Sequence, residues 1–544
     1  MTQGRGFVTA KSATAVAATT GSTRGQSQWA LIWRAFCKRR MAVCAAVVIL
    51  VLITTSVFAP ILANAAPLYY FGYNRFEYQE AGRTLRATIT QLIESRTSDQ
   101  SKIDAQRLLK TLPIQIGIMA DAIAPDKAAP LRTIGQDLLS AAVIPDQAKS
   151  IEELKRLQRD LRANFDAKDL TLVSKSHFPV FQSLNGLEVF FLCANILFLL
   201  LPVWKRLLRV LFSADHEDRR KWGLVVILIV IPTLAGGLRW WMVPSRVDRT
   251  DYKNGVFAAD STADRAPVVY ESVTWPLIVY SLDEYDLSGK SAAPAWYPAA
   301  WCPTGKDAAS MKPTSTWSGP HWLGTDEAGR DVLCRIIWGG RVSLSVGLVA
   351  VAIYVAIGIV VGAIAGYFRG VPDLVISRLI EVMICFPTFF LILTIVAFFG
   401  PSIMNIMVII GLTGWTGIAR LVRGEFLRLV DQEFVLAGRA LGYSPIRIIF
   451  RHVLPNAMAP VLVSATFGIA GAILTESALS FLGLGISKPT PSWGGLLADG
   501  REALLHAPWL IHFPGLAIFI TITAYNLMGE ALRDASDPRL RGSR

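Results

Sequence analysis

Little in this chain has the spacing that covalent chemistry requires. Gly289-Lys290-Ser291 has the ending of a phosphate-binding loop, in which backbone N–H groups cradle a phosphate and the lysine reaches its outer oxygens. The position five before Gly289 is Glu284 rather than glycine, so that cradle is missing. No zinc-binding helix motif and no nucleophile elbow occurs either. One carboxylate stands out, Glu476, deep in an apolar run over residues 457–484. A charge there is costly, so it faces a cavity, where it would line a translocation path, or it is held by internal hydrogen bonds.

The other informative residues bear on shape. Leu436-Ala437-Gly438-Arg439-Ala440-Leu441-Gly442-Tyr443-Ser444-Pro445, continuing to His452-Val453-Leu454-Pro455-Asn456, is a polar, arginine-studded segment between two runs apolar enough to cross a bilayer. Asp431 and Glu433 favour a helix start, because carboxylates suit the positive end of the helix dipole. Phe434, Ala437 and Leu441 recur on one face, and Ala437, Gly438 and Ala440 keep it thin. Gly442 suits the left-handed position just past a helix end. Ser444 then caps a second helix that begins at Pro445, and Pro455 is expected to end it. A helix-turn-helix in that place presents a docking surface to a soluble partner. On the far side of the chain's spans, Gly324, Asp326, Gly329, Arg330 and Asp331 form a turn-rich polar cluster. It is either a collar that shapes an entrance or a salt-bridged turn that anchors the next helix; for Asp331 and Arg335 the second reading is preferred.

The elements that must position these residues are membrane helices. The chain of 544 residues is 52% hydrophobic and only 17% charged. Its net charge of +13 does not point to nucleic acid, because the Lys and Arg cluster beside apolar runs, where they fix topology. Those runs lie near 41–59, 187–203, 222–242, 343–366, 378–399, 403–419, 457–484 and 511–530. Eight crossings put both termini on one side. Arg34, Lys38 to Arg40, Lys205, Arg206, Arg209, Arg219 to Lys221, Arg369, Arg378, Arg420, Arg423, Arg428, Arg439, Arg447, Arg451 and Arg533 all fall on that side, which the positive-inside rule makes cytoplasmic.

The organisation expected is a cytoplasmic tail over 1–40, a first transmembrane helix over 41–62, and an external helical module over 63–186. Its clearest helix is Asp146 through Arg162. A transmembrane pair over 187–242 follows, then a Pro-, Trp-, Tyr- and Gly-rich external segment over 243–342, read as loop-rich. A core over 343–544 contains the inner segment 421–456. Trp493 and Trp509 are expected at the membrane interface. Cys302 and Cys334 both fall outside, where an oxidising compartment allows a bond between them. No metal site is read from the sequence.

The inner segment resembles the cytoplasmic loop motif of ATP-binding-cassette importer permeases: Glu-Ala-Ala, three residues, Gly, nine residues, Ile, one residue, Leu-Pro. Ala437, Gly442, Leu454 and Pro455 match; Leu436 replaces the Glu, Gly438 the second Ala and His452 the Ile. Leu323-Gly324-Thr325-Asp326-Glu327-Ala328-Gly329-Arg330-Asp331-Val332-Leu333, Gly366-Tyr367-Phe368-Arg369-Gly370, Phe481-Leu482-Gly483-Leu484-Gly485, Pro491-Ser492-Trp493-Gly494 and Leu532-Arg533-Asp534-Ala535-Ser536-Asp537-Pro538-Arg539 resemble, in order, the C-type subunit of the dipeptide and oligopeptide branch. The likeness covers roughly 320–544, and Cys334 stands where the branch usually has Ser. The resemblance implies an all-α polytopic membrane protein with a type I importer permease core, here carrying an inserted periplasmic helical module and an extra transmembrane pair. It implies no catalytic residue and no bound cofactor, with ATP and Mg held by two cytoplasmic ATPase subunits. A second homologous permease and a periplasmic substrate-binding protein complete the implied assembly, in the bacterial inner membrane. Short peptides or peptide-like compounds are the implied cargo, with nickel or another small solute the nearest alternative. An ion-coupled secondary transporter would carry more intramembrane carboxylates, and a scaffold or sensor would use 66–185 as its ligand module.

Overall fold

The computed structural model describes residues 28–97, 102–165, 172–211, 217–242, 250–259, 263, 265–285, 289–296, 320–486 and 488–536. The tail before residue 28, Cys302 and the basic residues after 536 lie outside these. Among the described residues, six helices are long and apolar enough to cross a membrane: Arg40–Val57, Arg219–Trp241, Val332–Phe368, Ile403–Leu429, Pro445–Phe481 and Trp509–Ser536. Two further apolar stretches are bent pairs, Gly186–Leu199 with Leu201–Val210 at 65° and Gly370–Cys385 with Thr388–Phe399 at 81°. Together these occupy the places of the eight apolar runs. The run near 378–399 is therefore not one straight helix: Pro387 cannot continue it, and the extended backbone at Phe386 and Pro387 turns the chain.

The chain divides into two compact units. The first takes residues 1–53, 342–498 and 514–544. Helices α1 (Gln28–Cys37) and α2 (Arg40–Val57) begin it, and Ile32, Phe36 and Ala42 pack with Ala531 and Ala535 near the chain's end. Arg39 pairs with Asp534 there at 2.5 Å. The main core joins four long elements. Val346, Ala350 and Tyr354 come from the Val332–Phe368 helix, Ile392 and Val396 from Thr388–Phe399, Ile406, Ile418 and Phe426 from Ile403–Leu429, and Val461 and Leu479 from Leu454–Phe481. The Ile403–Leu429 helix runs well past the apolar stretch that ends near residue 419, because Val422, Phe426 and Leu429 stay buried while the arginines line its other side.

The second unit takes residues 54–341 and 499–513. Helices α3 (Arg75–Thr97), α4 (Lys102–Ala122), α5 (Pro125–Val143) and α6 (Gln147–Asn164) enclose a core that includes Leu85, Ile89, Leu112, Leu131, Leu138, Leu154 and Leu161. The expected helix from Asp146 is there, with Asp146 as its cap: the carboxylate accepts from the Ala148 and Lys149 amides at 3.1 and 3.4 Å. A four-stranded sheet lies beside this bundle in the order β2 (Lys175–His177), β1 (Tyr69–Asn74), β4 (Val268–Thr274), β3 (Val256–Phe257). Strand β4 belongs to the segment read from sequence as loop-rich. It pairs antiparallel with β1, Tyr70 opposite Val273, and buries Val268, Val269 and Tyr270. The turn-forming residues around it masked a short β-branched run that a distant partner strand completes.

Candidate functional site

The inner segment is built as two caps back to back. Helix α15 (Glu433–Ala440; α7 to α14 being Gly186–Leu199, Leu201–Leu211, Glu217–Val225, Ile231–Met242, Val332–Phe368, Gly370–Cys385, Thr388–Phe399 and Ile403–Leu429) starts after Gln432 in extended backbone. Its end is closed by two hydrogen bonds, Tyr443 N–H to the Gly438 carbonyl at 3.1 Å and Gly442 N–H to Arg439 at 2.9 Å. That pairing needs a left-handed residue, and Gly442 supplies it at φ +73°. Ser444 then accepts from the Arg447 amide at 3.4 Å and opens α16 (Pro445–Ile448), with Pro445 in the first turn. Pro455 does not end this helix. A wide π-turn over Ile449–Val453 leads directly into α17 (Leu454–Phe481). The wider turn relaxes the contact between a proline ring and the carbonyl one turn back, so the helix carries Pro455 without breaking.

Burial sorts the residues of this bend. Val435, Gly438, Ile448 and Val453 face the core, whereas Leu436, Ala437, Ala440, Gly442 and Ser444 face outward. Leu441 and Ile446 are 70% and 71% exposed. Phe434, Leu436, Ala437 and Leu441 on the first helix and Ile446 on the second are all exposed. Three ring contacts stiffen the segment: Arg439 over Tyr367 at 5.3 Å, Arg447 over Tyr443 at 4.0 Å, and Tyr443 stacked on His452 at 5.8 Å.

The base of the bend is clamped to the turn between α11 and α12. Gly366 lets α11 approach α14 so closely that a Cβ would stand 2.5 Å from Phe426 Cβ and 2.8 Å from the Arg423 carbonyl oxygen. Arg423 grips Asp373 with two nitrogens, Nη2 at 2.8 Å and Nε closer still. Arg369 donates to Asp431 at 2.6 Å and to the Leu427 carbonyl at 3.1 Å. Gly366 through Gly370 carried a recognisable pattern in the sequence, but the pairing of Arg369 with Asp431 and of Asp373 with Arg423 did not. The available signal was opposite charge at the same end of neighbouring helices.

The polar cluster over 321–335 is densely hydrogen-bonded. Asp326 accepts from the Ala328 and Arg330 amides at 2.8 and 3.0 Å, from Arg330 Nε at 2.7 Å and from Arg335 Nη1 at 2.5 Å. Asp499 adds a second carboxylate 3.4 Å from Arg335. Asp331 caps α11 through the Cys334 amide at 2.7 Å and holds His321 at 2.9 Å. Gly324 and Gly329 take φ +79° and +75°, and a side chain at Gly324 would meet the Ala292 carbonyl and the Trp509 indole. Trp509 is buried here, donating to the Thr325 carbonyl at 3.1 Å, and Trp493 is buried as well, so neither is an interface anchor. The Cys334 thiol is buried 3.2 Å from the Tyr280 carbonyl oxygen; its suggested partner, Cys302, lies outside the described residues.

Glu476 is wholly buried, its two oxygens 2.8 Å from Ser480 Oγ and 3.3 Å from Ser343 Oγ. Ser343 in turn accepts from the Trp493 amide at 3.1 Å. Among the described residues, no group of three or more His, Cys, Asp or Glu could hold a metal ion.

Long apolar helices around a polar bend define a polytopic membrane protein. The chain belongs to the family of binding-protein-dependent transport system inner membrane components, whose profile matches residues 358–542. A second profile, the N-terminal transmembrane domain of oligopeptide transport permease C, matches residues 27–80. The chain is 42% identical over 241 residues to a dipeptide transport system permease protein of Alkalihalophilus pseudofirmus, covering 44% of this chain and 79% of that one. An oligopeptide transport system permease protein of Haemophilus influenzae is 41% identical over 251 residues, 46% of this chain and 80% of that one. A glutathione transport system permease protein of Pectobacterium atrosepticum is 40% identical over 224 residues, 41% and 74% respectively. The protein is thus an integral inner membrane component of an importer. Residues 81–357 lie between the two matched regions.

Proposed function

We propose that this chain is the membrane-spanning permease subunit of an ATP-driven importer of short peptides or peptide-like compounds. It pairs with a second homologous permease, two cytoplasmic ATPase subunits that carry ATP and Mg, and a periplasmic substrate-binding protein. Both termini and the bend at Gly442 face the cytoplasm. The names of the relatives, which handle dipeptides, oligopeptides and glutathione, support the cargo class. The observation that carries the coupling role is the exposure of Leu436, Ala437, Leu441 and Ile446 along a doubly capped bend. Leu454 and Pro455 join that bend to a spanning helix without a break. Closure of the ATPases would push on these residues and tilt the helix, exchanging inward-open and outward-open cavities. Gly324, Asp326, Gly329, Arg330 and Asp331 serve as the outer anchor of the neighbouring helix.

The test is reconstitution of the full five-subunit assembly with Gly442→Val. A β-branched residue at φ +73° distorts the cap while leaving the spans alone. ATP hydrolysis should persist while uptake per ATP drops about tenfold or more, the size expected when a coupling free energy of about 1.4 kcal/mol is lost. Unchanged uptake per ATP would refute the coupling role. Uptake of nickel but not of peptides would refute the cargo class alone.

A further inference from the structure

The helical hairpin α7 to α10 lies between the two matched regions and has no assigned role. Helices α7 and α10 pack closely: a Cβ at Gly186 would meet the Gly236 carbonyl oxygen at 2.6 Å, and one at Gly236 the Gly186 carbonyl oxygen at 2.7 Å. Arg239 donates to the Leu184 carbonyl at 2.9 Å, and Trp240 and Trp241 stand exposed at the same end, where indoles favour the headgroup level. From there the 14 residues of α7 rise about 20 Å, less than the roughly 30 Å of the hydrocarbon layer. The chain then bends by 65° into α8. The bend therefore falls about 10 Å short of the opposite water boundary, and the 65° turn sends α8 obliquely toward that leaflet's interface.

The faces of α8 fit such a seat. Val203, Leu207 and Val210 recur at helical spacing and are exposed, Val210 at 84%. Lys205, Arg206 and Arg209 form an exposed stripe on another face. Leu208 is buried against Gly223 of α9, which fixes how the helix is rotated. Apolar residues toward acyl chains and basic residues at the rim are the pattern of an interfacial helix. We propose that α8 is a membrane-surface anchor that selects anionic phospholipid headgroups through Lys205, Arg206 and Arg209, with Val203, Leu207 and Val210 inserted among the acyl chains.

The test uses the full chain in lipid nanodiscs, where both leaflets carry the same lipid, so the outcome does not depend on the cytoplasmic orientation proposed above. A nitroxide is placed at Val210 (V210C, the other cysteines replaced), in discs of phosphatidylcholine with or without phosphatidylglycerol. The label should be more accessible to oxygen than to a water-soluble nickel complex, and deeper in the anionic discs. Replacing all three basic residues (K205Q, R206Q and R209Q together) should lower phosphatidylglycerol retained by the purified chain about tenfold or more, since each basic residue near an anionic surface is worth roughly fivefold. The charge-keeping set K205R, R206K and R209K should retain it. A label accessible to the nickel complex in both discs, a depth indifferent to lipid charge, or a glutamine variant that retains the lipid would each overturn the proposal. So would shielding of Val210 that arises only when partner subunits are added.

Discussion

Arg423 and Asp373 form a two-pronged ion pair between the C-terminal end of α14 and the N-terminal end of α12, and the carbonyl of the same arginine faces Gly366 on α11. One residue thus ties three helices together at the base of the bend. Asp373→Asn keeps the shape but removes the charge, and should lower stability by about 1–2 kcal/mol. Thermal unfolding of the detergent-solubilised chain measures this. If the pair matters only as a fixed point for the bend, the double variant D373R/R423D should recover part of the loss.

Gly366 and Gly424 make a matched test of close packing. A methyl at Gly366 would collide with Phe426 and the Arg423 carbonyl, whereas one at Gly424 meets nothing within 4 Å. Gly366→Ala should cost about 1–3 kcal/mol through overpacking, and Gly424→Ala should be neutral or raise the midpoint slightly through helix propensity. Equal effects at the two positions would contradict the packing described.

Asp326 holds two guanidinium groups and two amides, and Arg335 is only 2% exposed. Asp326→Ala leaves Arg335 buried with Asp499 as its remaining carboxylate. A loss of about 3 kcal/mol or more is expected, enough to abolish folded protein in the membrane fraction. Arg335→Met, which removes the cation together with its need for a partner, should be milder than Asp326→Ala.

His177 supplies a pH dependence. Its ring stacks on Tyr70 at 4.6 Å, and burial, helped by nearby Lys175, holds it below the ordinary histidine value of 6.5. The folded chain then binds fewer protons here than the unfolded one, so stability rises with pH. The contribution is complete above about pH 6.5 and is lost as the pH falls toward the lowered value. Melting curves between pH 8 and 5 should slope accordingly, and the slope should flatten in His177→Gln.

Local signals in the sequence sufficed wherever a single residue type fixes the backbone. Gly442, Ser444 and Pro445 each took the position their chemistry favours, because capping is decided within a few residues. Six of the eight apolar runs were equally legible as helices long and apolar enough to span, while the other two are bent pairs. Pro455 misled, since its effect depends on a π-turn that no local pattern announces. Strand β4 was missed because its partner β1 lies almost two hundred residues earlier in the chain, and Arg423 because its pairing with Asp373 is likewise a distant contact. For Glu476 both alternatives were stated, and Ser343 and Ser480 supply the hydrogen bonds of one of them. Ser343 comes from a different helix, which spacing alone cannot supply.

The unbroken passage from Pro445 to Phe481 has a mechanical consequence. Its 37 residues make a shaft about 55 Å long. A swing of about ten degrees around its midpoint would carry each tip roughly 5 Å in opposite directions. A small shove at one membrane face is thereby delivered as an opposite displacement at the other, less whatever the π-turn at Ile449–Val453 and Pro460 absorb.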